Sequence, residues 1–257
     1  MSQQTWLTAA VDAAQVAGKV LLDWQGRFSV REKSRANLVT EADEASQAAI
    51  VNLLRQQFPQ HSFLGEENLN ERGTSDESVW IIDPLDGTSN YVHGFPYFAV
   101  SIALMHRGEI EVGVILDPTR QDLFTACRNG GATLNGSPLQ TSGETRLERA
   151  FGMASLPIAA DPDNPAVRRF LKALSSLQTV QRTGSAALNL ANLAAGRIDA
   201  FWSSSLNVWD IAAGALLVTE SGGMLSDLKG DRIDLFIPSL LATSTSELQQ
   251  DLIKLFN

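Results

Sequence analysis

Apolar residues at Trp6, Ala10, Ala13, Ala17, Val20, Leu21 and Trp24 recur at helical spacing, which predicts an amphipathic helix that Gly26 ends. A second helix is predicted from about Asp43 to Phe58, with Ala49, Ile50, Leu53 and Leu54 inward and Pro59 as its stop. The period then changes. Val79 to Ile82 is a short apolar run, while Phe98 to Leu104, Glu111 to Leu116 and Leu123 to Ala126 read as strands, the first two joined at Arg107-Gly108. After Pro157, Pro162 and Pro165 helices alternate with short strands. Val167, Phe170, Leu171 and Leu174 mark one helix, Leu188 to Ala195 another that Gly196 closes, and Ser246 with Gln249 predicts a capping box for a last helix ending near Phe256. Periodicity alone therefore gives a mixed α and β protein. Residues 157–165 are the expected boundary between an N-terminal α+β lobe (1–156) and a C-terminal α/β lobe (157–257).

Composition narrows the classes. With 257 residues, 44% of them hydrophobic, the chain can bury a substantial core. A net charge of −9 argues against a nucleic-acid surface, since phosphate backbones call for excess Lys and Arg. The single cysteine, Cys127, excludes an intrachain disulfide and reads as a packing residue. The first residues lack a basic stretch followed by an apolar core, and no apolar run approaches membrane-spanning length, so a soluble cytoplasmic protein with no membrane partner is expected.

The chemistry concentrates where an apolar run meets acids, in Trp80-Ile81-Ile82-Asp83-Pro84-Leu85-Asp86-Gly87-Thr88. A buried strand ending here presents Asp83 and Asp86 at its C-terminal end, where both can bind one hard cation or bridge two. Pro84 stiffens the turn and Gly87 allows close backbone approach to an anion. Read alone, the same residues also suit an ordinary strand-to-turn boundary. Glu66, after Phe63-Leu64-Gly65, and Asp210, in Trp209-Asp210 at the start of an apolar helical run, complete an oxygen-only set with the Leu85 carbonyl. That set suits Mg²⁺ rather than Zn²⁺. His61 and His106 read as surface residues and His93 as a loop histidine.

In order along nearly the whole chain, these motifs resemble the inositol monophosphatase family, Mg²⁺-dependent and Li⁺-sensitive sugar phosphatases. The resemblance is carried by Leu38-Val39-Thr40-Glu41-Ala42-Asp43, Phe63-Leu64-Gly65-Glu66-Glu67, Asp83-Pro84-Leu85-Asp86-Gly87-Thr88-Ser89-Asn90-Tyr91, Phe95-Pro96, and Trp209-Asp210 with Glu220-Ser221-Gly222-Gly223. It implies a layered α-β-α-β-α fold of two closely packed lobes, a homodimer, and a small phosphate monoester as substrate. It also implies two or three Mg²⁺ ions held by Glu66, Asp83, Leu85, Asp86 and Asp210. Glu66, Thr88, Asp43 and Lys33 are the implied catalytic residues, with Glu66 orienting a water that the Thr88–Asp43 pair activates. The Gly87 and Thr88 amides then face the phosphate. Lys33 stands one residue short of the expected spacing, and a solvated surface lysine is its other reading. Gly184, Ser185 and Ala186 resemble the small-residue segment beside the substrate ring.

One position departs from the pattern. Inositol-preferring members carry a glutamate seven residues before the motif aspartate, where this chain has Ser203. A serine cannot grip two adjacent hydroxyls as a carboxylate can, so the phosphatase expectation stands while the choice among inositol, histidinol, sugar and nucleotide phosphates stays open. Two rival readings remain. A haloacid-dehalogenase-type phosphatase would need an aspartate nucleophile two residues before Asp86, where Pro84 stands. A non-catalytic role is the other, since some bacterial proteins resembling this family act as RNA-polymerase or RNA accessory factors.

Overall fold

The computed structural model describes residues 2–34, 37–74, 77–157 and 161–257. Along the chain these form α1 (Gln3–Trp24), β1 (Val30–Ser34), β2 (Asn37–Thr40), α2 (Glu41–Gln57), β3 (Ser62–Gly65), β4 (Asn70–Glu71), β5 (Ser78–Asp86) and α3 (Thr88–Val92). The next are β6 (Ala99–His106), β7 (Glu109–Asp117), β8 (Asp122–Cys127), β9 (Gly131–Leu134), β10 (Ser137–Pro138) and β11 (Phe151–Ala154). The remainder comprises α4 (Pro165–Leu174), β12 (Thr179–Gln181), α5 (Ala186–Ala194), β13 (Ala200–Ser203), α6 (Val208–Glu220), β14 (Met224–Ser226), β15 (Leu240–Thr243) and α7 (Ser246–Phe256).

Besides the β1–β2 ribbon there are two sheets, one of eight strands in the order β10-β9-β8-β7-β6-β5-β3-β4 and one of five in the order β12-β11-β13-β15-β14. The layers follow from which faces are apolar. Side chains alternate across a strand, so Trp80, Ile82, Ile102, Leu104, Val112 and Val114 point to one face of the large sheet and pack beneath α1 and α2. Ile81, Ala103 and Ile115 point to the other and meet α5 and α6. The small sheet closes over those two helices with Phe201 and Ala242, and its outer face packs α4 and α7 through Trp202, Leu241, Leu252 and Phe256. The result is a five-layer α-β-α-β-α stack. Both faces of each central strand are covered, which is why β5 to β7 read as nearly continuous apolar runs rather than as alternations.

Small residues set the spacing of the layers. α1 buries Ala9, Ala10, Ala13, Ala14 and Ala17 along one stripe, so its backbone lies close to its neighbours. On the opposite face, a Cβ on Gly113 of β7 would stand 2.8 Å from the Ala213 carbonyl oxygen of α6, so only glycine lets that helix settle onto the sheet.

Several details follow from the contacts between layers. β11 precedes the expected boundary at 157 yet pairs in parallel with both β12 and β13, so sheet membership changes between β10 and β11. His61 is not a surface residue: it is 8% exposed, stacked on Phe58, and burial pushes its pKa down. Cys127 is half-buried against the α1–α2 core, and burial pushes its thiol pKa up. The cap of α7 is Thr245 rather than Ser246, because the Thr245 hydroxyl accepts from the Leu248 amide at 3.3 Å while Ser246 Oγ turns to Glu247. Thr245→Ala is therefore expected to lower stability by about 1 kcal/mol and Ser246→Ala by less than half of that, measured by urea unfolding.

Candidate functional site

The site begins with an irregularity in β5. In register with β6, Asp83 stands opposite Ser101 and Asp86 opposite Ala99, so three steps on β5 match two on its neighbour. In a regular strand residues three apart point to opposite faces; the extra residue of this bulge turns Asp86 back to the side of Asp83. Pro84 is tolerated here because a bulge asks for no ladder hydrogen bond from it. Its carbonyl accepts from Ser46 Oγ of α2 at 2.9 Å, and the Leu85 side chain is fully buried beneath α2, which pins the bulge from behind. Gly87 follows at φ 96, a left-handed conformation, with space for a Cβ closed off by Tyr97 and Phe98.

Each acid of the cluster is held by backbone amides. The Leu85 amide donates to Asp83 Oδ1 at 3.0 Å. Asp86 lies against the N-terminus of α5, accepting from the Ala187 amide at 2.8 Å, the Ala186 amide at 3.3 Å and the Ser185 hydroxyl. Helix N-termini favour such negative charge. Asp210 sits in the first turn of α6, where the Asn207 amide donates to Oδ2 at 2.7 Å. α6 is fixed to β6 by Ser101 Oγ, which donates to the Trp209 carbonyl at 3.3 Å. Asp83, Asp86 and Asp210 thus converge from one bulged strand and one interlayer helix, with a carboxylate oxygen of each within 4.8 Å of the others.

Among the described residues none of the three forms an ion pair, so their charges repel one another in a poorly solvated place. Burial, followed by the charges of Glu66, Asp86 and Asp210, holds the Asp83 carboxyl well above the usual carboxylate range. Burial pushes Asp86 up to about 6 against the opposing pull of its Ser185 and amide donors. Burial and the Asp86 charge push Asp210 up to about 7. Oxygen donors only, convergence and uncompensated negative charge fit a hard divalent cation such as Mg²⁺. Glu66, half-buried in the bend after β3 with its amide donating to the Ile82 carbonyl at 3.3 Å, lies outside the 4.8 Å cluster but close enough for its charge to act on Asp83.

A second constellation adjoins the first. Asp43, fully buried in the first turn of α2, receives the Thr40 amide at 2.9 Å and the Thr40 hydroxyl at 2.6 Å on Oδ2. Its Oδ1 faces Thr88 Oγ1 at 3.3 Å, and the same hydroxyl is 3.1 Å from the Leu85 carbonyl. Burial pushes Asp43 up to about 6 despite the Thr40 donors. The expected Thr88–Asp43 pair is thus juxtaposed, across forty-five residues of chain. Lys33 belongs to β1 by its backbone, and its side chain lies outside the described residues.

Beside the cluster opens a cavity of about 320 Å³ whose wall includes Asp86, Asp210, Gly184 and Ala186. Ser185 is fully buried beneath it, holding Asp86 and capping α5 through the Leu188 amide at 3.2 Å. Ser203 is 2% exposed at the end of β13, with its hydroxyl accepting from the Ser205 amide at 3.2 Å, and the wall there is formed by Ser205 and Leu206. Trp202 is buried against Phe256 and takes no part in the rim. Sequence reasoning missed Arg182 and Ser155 on this wall. It also missed Asn90, whose Nδ2 ties the Tyr97 carbonyl at 2.7 Å to the Thr183 carbonyl at 2.8 Å across the two sheets' loops. Asn90 lay inside the signature run, and the polar residue after three small ones was the available signal.

A five-layer α-β-α-β-α fold with a largely buried carboxylate triad beside a hydroxyl–carboxylate pair defines a narrow class of proteins. The sequence model of the inositol monophosphatase family matches residues 2–257. The chain is 44% identical over 236 residues to the Nus factor SuhB of Pseudomonas aeruginosa, covering 88% of this chain and 87% of that one. It is 37% identical over 263 residues to inositol monophosphatase 3 of Solanum lycopersicum, covering 100% and 98%. The crystal structure of extragenic suppressor protein suhB from Bartonella henselae superposes with a TM-score of 0.94 at 35% identity, over 98% of both chains. The chain belongs to the inositol monophosphatase family. Among its described residues no helix is long and apolar enough to cross a membrane.

The raised carboxyls carry a pH signature. A carboxyl whose pKa is higher in the folded than in the unfolded chain contributes stability at low pH that is lost as the pH rises through the folded value. For Asp43, raised from 3.8 to about 6, the loss at neutral pH is roughly 3 kcal/mol. With chelator present the melting temperature is expected to fall between about pH 4 and 7, from the unfolded carboxylate value to the folded values of Asp43, Asp86 and Asp210, and Mg²⁺ is expected to restore it. Asp83→Asn in chelator should melt higher than the wild type at pH 8. Calorimetry checks both, and a chelated protein that gains stability over this range contradicts the assignment.

Proposed function

We propose that the chain is a Mg²⁺-dependent phosphatase that hydrolyses a small phosphate monoester, inositol monophosphate or a related polyol or sugar phosphate, by attack of an activated water. The observation that carries this reading is the convergence of Asp83, Asp86 and Asp210 next to the Thr88–Asp43 pair, at the mouth of a cavity of small-molecule size. Cations seated there would offset the charge of the phosphate oxygens and lower the pKa of a water.

The chain's own residues do the rest. Glu66, Asp83, Asp86, Asp210 and the Leu85 carbonyl hold the cations, two or three in number. Asp43 takes up the single Thr88 hydroxyl proton as the Thr88 oxygen takes one from the attacking water, so Thr88 stays neutral and the relay ends in a protonated Asp43 carboxyl. Glu66 orients that water from the β3 side, and the sequence resemblance adds Lys33 to the catalytic set. The Gly87 and Thr88 amides receive the phosphate, and Gly184 and Ala186 on the wall, with Ser185 beneath it, shape the end of the site that takes the alcohol, where Ser205 and Leu206 stand in place of the buried Ser203. The reading extends to a homodimer in solution, which sedimentation or light scattering tests directly.

Hydrolysis of phosphate monoesters should require Mg²⁺ and cease in excess chelator. Asp83→Asn, Asp86→Asn and Asp210→Asn should each abolish it in a protein that remains folded by circular dichroism. Thr88→Ala should lower kcat about a hundredfold or more with KM nearly unchanged, as expected for a group acting in the transition state. A raised KM with kcat intact would make Thr88 a substrate-binding residue instead.

A second reading is favoured by a specific finding: the relatives carrying the name Nus factor SuhB match at 40% to 44% identity, above the 37% of the relatives named as inositol monophosphatases. Under it the chain acts as a transcription accessory factor whose partner is protein rather than nucleic acid, consistent with a net charge of −9. Copurification with RNA polymerase subunits that survives Asp83→Asn, together with no Mg²⁺-dependent hydrolysis of inositol, histidinol, sugar or nucleotide phosphates, would establish it over the enzymatic one.

A further inference from the structure

The cavity beside the carboxylate cluster lies beyond the C-terminal ends of three parallel strands. β12 and β13 flank β11, with Met153 opposite Gln181 and Ala154 opposite Trp202, so the residues that leave these strands form one continuous wall: Ser155 to Pro157, Arg182, and Ser205 with Leu206. Such a crevice is where parallel strands receive small ligands. Its charges are divided. Asp86 and Asp210 mark the cation end, and Arg182 is the other charged side chain among the described residues that line it.

Arg182 is exposed, and among the described residues its guanidinium has neither an ion pair nor a hydrogen bond. Its backbone is fixed on both sides, by the β12 pairing before it and by Asn90 Nδ2 on the Thr183 carbonyl after it. The carboxylates of the same cavity, Asp86 and Asp210, already accept from the Ala186, Ala187 and Asn207 amides. Ser203, at the position where a glutamate would bind polyol hydroxyls, is buried with its hydroxyl taken up by the Ser205 amide. An unpartnered guanidinium on this wall, carried by an anchored backbone, matches a planar or tetrahedral anion, through paired N–H donors, better than it matches neutral hydroxyls.

We propose that Arg182 is a specificity residue that takes a second anionic group of the substrate, so that the preferred esters are phosphate monoesters carrying a carboxylate or another phosphate in place of a neutral polyol end. The inference rests on the phosphatase reading above. A three-carbon series separates the possibilities: glycerol 3-phosphate, 3-phosphoglycerate and glycerol 1,3-bisphosphate share the reacting end and differ at the other. The wild type with Mg²⁺ should show kcat/KM about tenfold or more higher for the two doubly anionic esters. The larger gain tells whether carboxylate or phosphate is the better match.

Arg182→Gln should remove that advantage through KM while leaving glycerol 3-phosphate within twofold, and Arg182→Lys should restore part of it. Calorimetric titration gives a readout independent of turnover: phosphonoacetate should bind the wild type more tightly than methylphosphonate does, and Arg182→Gln should erase the difference. Equal rates for all three esters, or an Arg182→Gln protein that loses all three alike, overturns the specificity role while the phosphatase reading survives. Hydrolysis of none of them overturns both.

Discussion

Three carboxylates within 4.8 Å of one another, two buried and the third half-buried, without a basic partner among the described residues, are a costly arrangement that much of the fold serves to hold. Like charges in a medium poorer than water in screening repel by several kcal/mol, so nothing local would keep Asp83, Asp86 and Asp210 together. They are held by elements that are rigid for other reasons: a central strand covered on both faces, a helix seated on a glycine of the neighbouring strand, and the N-terminus of a second helix. Backbone amides satisfy part of each carboxylate and leave the remaining lone pairs converging on one point. A metal ion held there would supply the counter-charge.

The same acids are structural. Asp43 completes the capping of α2 while facing Thr88, Asp86 is bound by the first amides of α5, and Asp210 accepts from the Asn207 amide that opens α6. Helix starts are natural places for this, because orphan amides and the helix dipole both favour a carboxylate. Removing one of these side chains altogether would mix lost capping with lost chemistry. An Asp-to-Asn change retains an oxygen acceptor and removes the charge, which makes it the informative substitution.

Relatives with the same fold carry names of different kinds, inositol monophosphatase and Nus factor, and the fold cannot arbitrate between them. The cavity wall away from the carboxylate cluster is built by the small sheet. There the strand ends of the small sheet supply whatever residues follow them, with little constraint from core packing. In this chain those positions hold a guanidinium, small hydroxyls and apolar residues, so the character of the far wall is set independently of the carboxylate cluster.

The sequence by itself determined the helices α1 and α2, the β6 to β8 meander, and the residue types of the site, because periodicity and short motifs depend on neighbours along the chain. The boundaries of α1 and α5 follow from local signals, namely apolar spacing and a glycine beyond each end. Tertiary structure decided the rest. Asp83 and Asp86 should diverge by strand parity, and only pairing with β6, which forces an extra residue at Pro84-Leu85, turns them to one side. β11 reads as part of the preceding segment, yet its partners β12 and β13 lie later in the chain. His61 is polar and short-range patterns leave it outside, whereas stacking on Phe58 buries it. Arg182 carried no motif, and its place in the cavity arises from three strands ending together. Register, parity and convergence are set by contacts between residues far apart in sequence, and no window of the chain contains both partners of such a contact.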